Sequence, residues 1–182
     1  MGSAATAARR RRFRNIENHH DKASMNTPSE RAAQAELKRL IEEFFRAVSF
    51  TAEEKPTYSK LHELFIEPGL LIKNSGHAPE VASVAEFIQS RQRSVDAGEL
   101  THFQEVEMAS TTQLFGNVAQ RFTAYAKAGM LNGVRFAARG MICTQFILTP
   151  AGWRMSSMAW DDERGGLKLP SHLVPNELES TT

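Results

Sequence analysis

The chain has 182 residues, of which 41% are hydrophobic and 24% are charged, as is typical of one globular domain with tails. No apolar run approaches the ~20 residues that would cross a bilayer, so the sequence predicts no membrane span. Its single cysteine, Cys143, excludes an intrachain disulfide. A lone thiol fits a reducing compartment, and we expect the protein to be cytoplasmic.

The net charge of +1 is unevenly distributed along the chain. Residues 1–24 carry six basic and two acidic side chains, which leaves a net charge of −3 on the remainder. This mildly acidic body offers no basic surface for nucleic acid. We therefore expect residues 1–26 to form a disordered basic arm. The alternative is an arginine-rich segment that contacts nucleic acid or directs targeting.

The first predicted helix begins where the arm ends. Thr27-Pro28-Ser29-Glu30 is a capping box with proline at the first helical position. Apolar side chains then recur at helical spacing up to about residue 50, and they form a broad stripe: Leu37, Leu40, Ile41, Phe44, Phe45 and Val48. The folded domain is therefore predicted to start at Thr27.

Two further helices are predicted before the sequence changes character. A short one follows Pro56 and is expected to end at Pro68-Gly69. The next starts at a second capping box, Ser83 to Glu86, and Gly98 stands where a left-handed C-terminal cap is expected. A short strand is predicted at residues 70–72, between these two helices.

Four long strands are predicted after the helices, from segments rich in Val, Phe, Thr, Tyr and Ile: 102–114, 117–128, 134–149 and 153–161. The breaks between them are short and contain glycine or proline, which predicts hairpins and an antiparallel meander. Helices followed by strands are typical of the α+β class. The predicted organisation is one domain over residues 27–170 and a C-terminal tail over residues 171–182.

If side chains alternate strictly along the last two predicted strands, both faces of each strand carry apolar residues. In strand 134–149, Ile142 and Phe146 lie on the face opposite to Met141, Cys143 and Ile147. In the last strand, strict alternation sets one pair of large apolar residues against another: Trp153 and Met155 against Met158 and Trp160. The chain has too few helices to cover both faces of a sheet. This pattern therefore predicts a homodimer formed through the outer sheet face.

Three segments carry a resemblance to a known family. Residues 115–120 with Tyr125, residues 139–145 and residues 152–164 resemble the nuclear transport factor 2-like superfamily and its SnoaL-like (polyketide cyclase-like) domains. The similarity covers about residues 30–170. It implies a cone-shaped, curved antiparallel sheet packed against about three N-terminal helices, with a pocket between them. The fold hosts isomerases, dehydratases, cyclases, hydrolases and non-catalytic dimer modules.

Tyr58 and His62 are candidate catalytic residues. They are four residues apart in the short predicted helix, so they would share one face. In the cone this helix lies near the pocket mouth, where a histidine and a tyrosine would serve as base and donor. The alternative is that these are ordinary helix residues without a catalytic role, with one polar group partly exposed to solvent. The ketosteroid isomerase mechanism is not carried over, because the first helix contains no tyrosine.

The other candidates lie on the strands. Arg121 is a candidate substrate-binding residue, and its alternative role is to pair with a carboxylate on a neighbouring strand. Trp160 is a second substrate-binding candidate. Asp161 is a candidate catalytic acid; it and Asp162 would point to opposite faces, so only one of them would enter a pocket.

No zinc-protease, CxxC, P-loop or dinucleotide motif occurs in the sequence, and we expect neither a metal nor another cofactor. The sequence thus predicts a pocket protein that binds a small hydrophobic molecule. Acid/base chemistry of the isomerase, dehydratase or cyclase type is left open. The competing interpretation is a non-catalytic homodimerisation or partner-binding module.

Overall fold

The computed structural model describes residues 27–76 and 78–174. The predicted arm (1–26), His77 and residues 175–182 of the predicted tail lie outside the described residues. The helices are α1 (Pro28–Val48), α2 (Leu61–Leu64) and α3 (Val84–Asp96), with 3-10 helices at Tyr58–Lys60 and Ser171–Leu173. The strands are β1 (Phe65–Lys73), β2 (Glu80–Ser83), β3 (Leu100–Phe115), β4 (Val118–Leu131), β5 (Val134–Thr149) and β6 (Gly152–Asp162). None of the described helices is long and apolar enough to cross a membrane.

Both predicted capping boxes are confirmed. At the start of α1, the Thr27 amide donates to the Glu30 carboxylate at 2.6 Å and the Glu30 amide donates to the Thr27 hydroxyl at 3.2 Å. At the start of α3, Ser83 and Glu86 make the same reciprocal pair. Gly98 follows α3 with φ of +70°, the left-handed conformation that ends many helices.

The six strands form one sheet in the order β2-β1-β6-β5-β4-β3. The predicted meander of four long strands is confirmed, since β3 to β6 pair successively and antiparallel. The sheet as a whole is mixed, because β1 pairs parallel to β6. Two edge strands, β2 and β3, leave the sheet open.

The region before α3 differs from the prediction. The helix expected up to Pro68-Gly69 ends at Leu64, and β1 starts at the next residue. β1 pairs with β6 at Phe65 and again from Leu70, and Pro68-Gly69 fall in the irregular stretch between these two points. Proline is tolerated in a strand at such an irregularity, because its missing amide breaks no regular ladder bond. The sequence pattern therefore correctly indicated an irregularity at Pro68-Gly69 but wrongly placed it at the end of a helix instead of inside strand β1.

The last strand also differs from the prediction, and the difference concerns its faces. Gln145 pairs with Ser157 whereas Phe146 pairs with Met155, so Ser156 is an extra residue in β6. Such a bulge reverses the alternation of side chains along the strand. Strict alternation would place two pairs of large apolar residues on opposite faces, but the bulge brings all four to one side. Trp153, Met155 and Met158 belong to the core, and Trp160 packs against it. For β6, the prediction of two apolar faces is wrong.

Helices α1 and α3 cover the inner face of the sheet, where α1 packs on β3 and β6 and α3 packs on β1 and β3. Leu37, Leu40 and Ile41 of the predicted stripe are almost completely buried. They meet Phe146 and Met155 of the sheet in the same cluster. The core thus occupies one end of the space between helices and sheet.

The outer face of the sheet is partly covered by the chain's own C-terminal segment, residues 163–173. Arg139 on β5 pairs with Glu163 at 3.0 Å, and the Leu169 amide donates to the same carboxylate at 2.9 Å. Leu169 is buried, and the 3-10 helix that follows contacts β3. Apolar residues further along this face stay exposed, among them Val106 and Phe122.

Gly140 on β5 is required by the close approach of Tyr125, its register partner on β4. A Cβ atom at position 140 would lie 2.6 Å from the Tyr125 hydroxyl oxygen and 2.2 Å from the Asp161 carbonyl oxygen. No real Cβ contact is this short, and one of the two atoms belongs to the backbone. Tyr125, which is fully buried, therefore crosses β5 only because glycine stands there.

We predict that Gly140→Ala lowers the free energy of unfolding by about 2–4 kcal/mol, because Tyr125 or strand β6 must move to admit the methyl group. Urea unfolding followed by tryptophan fluorescence measures the change. The matched control is Gly165→Ala, where a Cβ atom would meet nothing within 4 Å. Equal stability of the two variants would show that Tyr125 does not need the space at position 140.

Candidate functional site

A cavity of about 330 Å³ lies between the helices and the inner face of the sheet, within the range of small-molecule sites. Phe87 and Trp160 meet edge to face with ring centroids 6.4 Å apart. Phe103 and Phe136 form a second pair in the wall, 6.3 Å apart. The polar side chains of the lining are few: Tyr58, Lys73, Arg91, Glu105, Lys127 and Asp162.

Glu105 is the carboxyl group in this cavity that has no partner among the described residues. Its backbone amide donates to the Ser49 hydroxyl at 3.0 Å, which ties β3 to the end of α1. Its carboxyl makes no hydrogen bond or ion pair within the described ranges. Burial raises the pKa of the Glu105 carboxyl from 4.5 to about 7, although the charges of Lys127 and Arg91 act in the opposite direction. At neutral pH this group therefore populates both its acid and its base form.

Lys127 and Asp162 form a second polar group in the wall. The Lys127 ammonium lies 2.7 Å and 3.0 Å from the two Asp162 carboxylate oxygens, and the Tyr125 hydroxyl donates to the same carboxylate. Burial alone would raise the pKa of Asp162, but these hydrogen bonds hold it below its usual value. Burial and the adjacent Asp162 raise the pKa of Tyr125 well above its usual value. Asp162 is thus a paired anion and Tyr125 a permanent donor to it.

Tyr58 and Arg91 complete the polar lining. Burial raises the pKa of the Tyr58 hydroxyl to about 12, with Arg91 acting in the opposite direction, so this hydroxyl stays protonated. It makes no hydrogen bond within the described ranges. The Arg91 guanidinium lies over the Phe87 ring, 5.3 Å from its centroid.

The structure places two of the five predicted site residues in the cavity. Tyr58 and Trp160 line it. His62 is exposed on α2 and is not part of the lining, although Tyr58 precedes it by only one turn. Tyr58 belongs to the 3-10 turn Tyr58–Lys60 and His62 to α2, so the two residues are not on one continuous helix as predicted.

Asp161 and Asp162 point to opposite sides of β6, and the one that enters the cavity is Asp162. Asp161 is held outside by an ion pair with Arg164 at 2.5 Å. The prediction that only one of the two enters a pocket agrees with this placement, but the candidate chosen from the sequence was the outer one.

Arg121 is buried and pairs with a carboxylate on the neighbouring strand, which is the alternative role that the sequence predicted for it. It contacts both oxygens of Glu107, at 2.6 Å and 3.0 Å, and the Thr112 hydroxyl at 2.7 Å. Burial alone would raise the pKa of Glu107, but the guanidinium lowers it below its usual value. This pair joins β3 to β4 away from the cavity lining.

Glu105, Arg91 and Lys127 were missed as site residues. Alternation along β3 favours the opposite assignment, since apolar Val106 is expected inside and Glu105 outside; Val106 is in fact exposed. The available signal was the hairpin between β3 and β4, which sets Glu105 directly opposite Lys127. An opposite-charge pair of this kind inside an apolar strand pair indicates a polar site.

Among the residues that the structure describes, no group of three or more His, Cys, Asp or Glu side chains is arranged to hold a metal ion. The cavity offers an unpaired carboxyl, a protonated phenol and cationic side chains in aromatic walls. Such an arrangement can transfer a proton to or from a bound molecule and stabilise negative charge that develops on it.

No protein-family model matches the sequence, and no curated protein matches it. Solved structures do match. A nuclear transport factor 2-like superfamily protein from Salmonella enterica serovar Typhimurium superposes with a TM-score of 0.61 at 14% identity, over 77% of this chain and 98% of that one. The chain has the nuclear transport factor 2-like fold.

Two further structures with this fold illustrate how differently it is used. A candidate dehydratase from Streptomyces avermitilis matches with a TM-score of 0.57 at 14% identity, over 76% of this chain and 99% of that one. A candidate calcium/calmodulin-dependent kinase II association domain from Exiguobacterium sibiricum matches with a TM-score of 0.58 at 9% identity, over 78% and 98%. At these identities the likeness shows the fold alone.

The raised pKa of Glu105 makes the stability of the protein depend on pH. The folded state keeps a proton that the unfolded chain releases between pH 4.5 and about 7. The stability that the fold gains from this bound proton is therefore complete below pH 4.5, and it is lost as the pH rises through 7.

We predict that raising the pH from 4.5 to 8 increases the difference in unfolding free energy between Glu105→Gln and the unmodified protein by ~2–3 kcal/mol in favour of the variant. The reason is that the unmodified protein loses the stabilising proton and the variant has none to lose. Urea unfolding at several pH values measures the difference. Glu54→Gln, an exposed position, is the control and should show a flat difference. A flat difference for Glu105→Gln as well would show that its carboxyl titrates normally.

Proposed function

We propose that the protein is a cofactor-independent acid/base enzyme that binds a small hydrophobic molecule in the cavity and moves a proton through Glu105. The observation that carries the proposal is the unpaired Glu105 carboxyl in an aromatic cavity, with a pKa raised to about 7 by burial. A general acid or base acts best when its pKa lies near the working pH. The proposed reaction class is isomerisation, dehydration or cyclisation.

The chemistry common to these reactions is the removal of a proton from carbon beside a carbonyl group. The proton then returns to another carbon (isomerisation), or leaves with an expelled hydroxide as water (dehydration), or goes to the oxygen of a second carbonyl that the carbanion attacks (cyclisation). The Glu105 carboxylate accepts the proton. Negative charge then develops on the carbonyl oxygen, and Tyr58 supports the proposal because its hydroxyl is protonated and makes no hydrogen bond among the described residues. Trp160 and Phe87 supply an apolar wall that excludes water.

Lys127 and Asp162 have a positioning role in this scheme. Their ion pair lies in the wall, and Lys127 also stands opposite Glu105 in the register of β3 and β4. The positive charge of Lys127 limits the rise in the pKa of Glu105, whereas Asp162 adds to it. The pair therefore tunes the base and does not itself exchange protons with the ligand.

The test is proton exchange in deuterated water, which requires no knowledge of the final product. A panel of small cyclic ketones and conjugated esters is incubated with the protein, and deuterium incorporation beside the carbonyl is followed by NMR. We predict that Glu105→Gln lowers the exchange rate by about 10²–10⁴-fold and that Tyr58→Phe lowers it by about tenfold. The rate should rise with pH up to about 7, because the carboxylate is the reactive form.

The control is Glu54→Gln, which should exchange at the unmodified rate. Thermal unfolding of each variant separates lost chemistry from lost structure. The catalytic proposal is overturned if Glu105→Gln keeps the full exchange rate, or if the panel shows no exchange above buffer while its members bind in the cavity.

A second candidate function is a non-catalytic homodimerisation module. The observation that favours it is the apolar outer face of the sheet, where Val106 is 56% and Phe122 is 49% exposed beside Met141 and Cys143 of β5. Exposed apolar surface of this kind is typical of an interface. The structural match to a candidate association domain supports the idea that such sheets assemble.

We predict that Phe122→Asp converts a dimer to a monomer, because a charge would be buried without a partner in the interface. Size-exclusion chromatography with light scattering measures the mass. Val81→Asp is the control, because Val81 is 60% exposed on the far edge strand β2 and its change should leave the mass unaltered. A monomeric unmodified protein, or a dimer that survives Phe122→Asp, contradicts this second function.

A further inference from the structure

The cations of the cavity wall are not all held in direct ion pairs. Lys127 pairs with Asp162 at 2.7 Å, and Lys73 pairs with Glu80 at 2.7 Å. Arg91, in contrast, has no carboxylate within ion-pairing distance among the described residues. The Glu105 carboxyl acts on Arg91 electrostatically but makes no direct ion pair with it, so the guanidinium keeps room for an anionic ligand.

The guanidinium of Arg91 has hydrogen-bond donors to offer a ligand. It lies over the Phe87 ring, 5.3 Å from the ring centroid, a cation–π contact, and its N–H groups donate to no side chain or carbonyl among the described residues. The edge of a guanidinium presents parallel N–H donors that match the two oxygens of a carboxylate. Leaving a cation unpaired beside apolar walls is costly, and an anionic ligand removes that cost.

The rest of the wall selects a flat molecule. Phe87 and Trp160 form one aromatic pair and Phe103 and Phe136 another, and planar rings pack on such pairs better than branched aliphatic groups do. A volume of about 330 Å³ equals roughly ten water molecules. This size suits a single ring with a short side chain.

We propose that the ligand of this cavity is a planar aromatic or conjugated carboxylic acid, whose carboxylate pairs with Arg91 while its ring lies against Phe87 and Trp160. The inference rests on the proposed function, because it assumes that the same cavity is the binding site. Arg91 acts electrostatically on both Glu105 and Tyr58. The anchored carboxylate would thus hold the reacting carbon close to the groups that move the proton.

The test compares acid and amide forms of the same molecules. Binding of cinnamate and cinnamamide, and of benzoate and benzamide, is measured by NMR titration at pH 6, where the acids are ionised and Glu105, with its pKa of about 7, is mostly protonated. The unmodified protein should bind each acid at least tenfold more tightly than its amide. Arg91→Gln should lose this preference by weakening the acid at least tenfold and leaving the amide unchanged, whereas Arg91→Lys should keep part of it.

Arg93→Gln is the matched control, since Arg93 lies exposed on the same helix outside the cavity lining. Its acid preference should equal that of the unmodified protein. Thermal unfolding of Arg91→Gln and Arg91→Lys verifies that both variants fold.

The outcomes separate the two proposals. If acid and amide bind equally well, or if Arg91→Gln keeps the preference, the carboxylate inference is overturned. In that event, Glu105-dependent proton exchange on neutral ketones would still support the proposed function. If the acids bind through Arg91 but no compound undergoes exchange, the carboxylate inference stands and the catalytic proposal fails. If neither form binds, the carboxylate inference is overturned, and the catalytic proposal is decided by the exchange experiment alone.

Discussion

Lys127 lies between two carboxyl groups, Glu105 opposite it on β3 and Asp162 at the end of β6, and its ammonium pairs with Asp162. The competition is decided by Tyr125, whose hydroxyl also donates to Asp162 and can reach it only across Gly140. Two donors on Asp162 make it the better anion. Glu105 is left half-buried without a direct partner, and desolvation raises its pKa to about 7. A glycine in the middle of β5 thus helps to decide which carboxyl in the cavity is paired and which is not.

The bulge at Ser156 has a comparable effect on the apolar part of the structure. Without the extra residue in β6, either Trp153 and Met155 or Met158 and Trp160 would face outward. With it, the first pair closes the core beneath α1, and the second reaches the cavity, where Trp160 packs on Phe87 of α3. The same strand therefore supplies both the packed end of the fold and the aromatic wall of the site.

The two faces of the sheet have separate roles in the functions proposed. The inner face carries the polar groups of the cavity, and it is partly covered by α1 and α3. The outer face carries exposed apolar residues beside a C-terminal segment that is anchored by Arg139 and Glu163. Because Phe122 lies on the face opposite to the cavity-lining Glu105, the proposed ligand binding and the proposed self-association would respond to different single substitutions.

The sequence by itself determined the features that depend on local chemistry. The capping boxes at Thr27 and Ser83, the apolar stripe of α1 and the four hairpin-linked strands follow from spacing and turn residues within a few positions of one another. The motif resemblance likewise pointed to the fold that the solved structures share. Of the five candidate site residues that the sequence suggested, Tyr58 and Trp160 line the cavity in the structure.

Only the tertiary structure decided the features that depend on register between strands. A one-residue bulge reverses every later side chain in a strand, so the faces of β6 could not be assigned from its residues alone. The parallel pairing of β1 joins segments far apart in the chain. The unpaired state of Glu105 depends on which of two carboxyl groups reaches Lys127. That outcome is set by distances between side chains on strands β3, β4 and β6. Such distances are absent from the order of the residues, because they arise only when the sheet has formed.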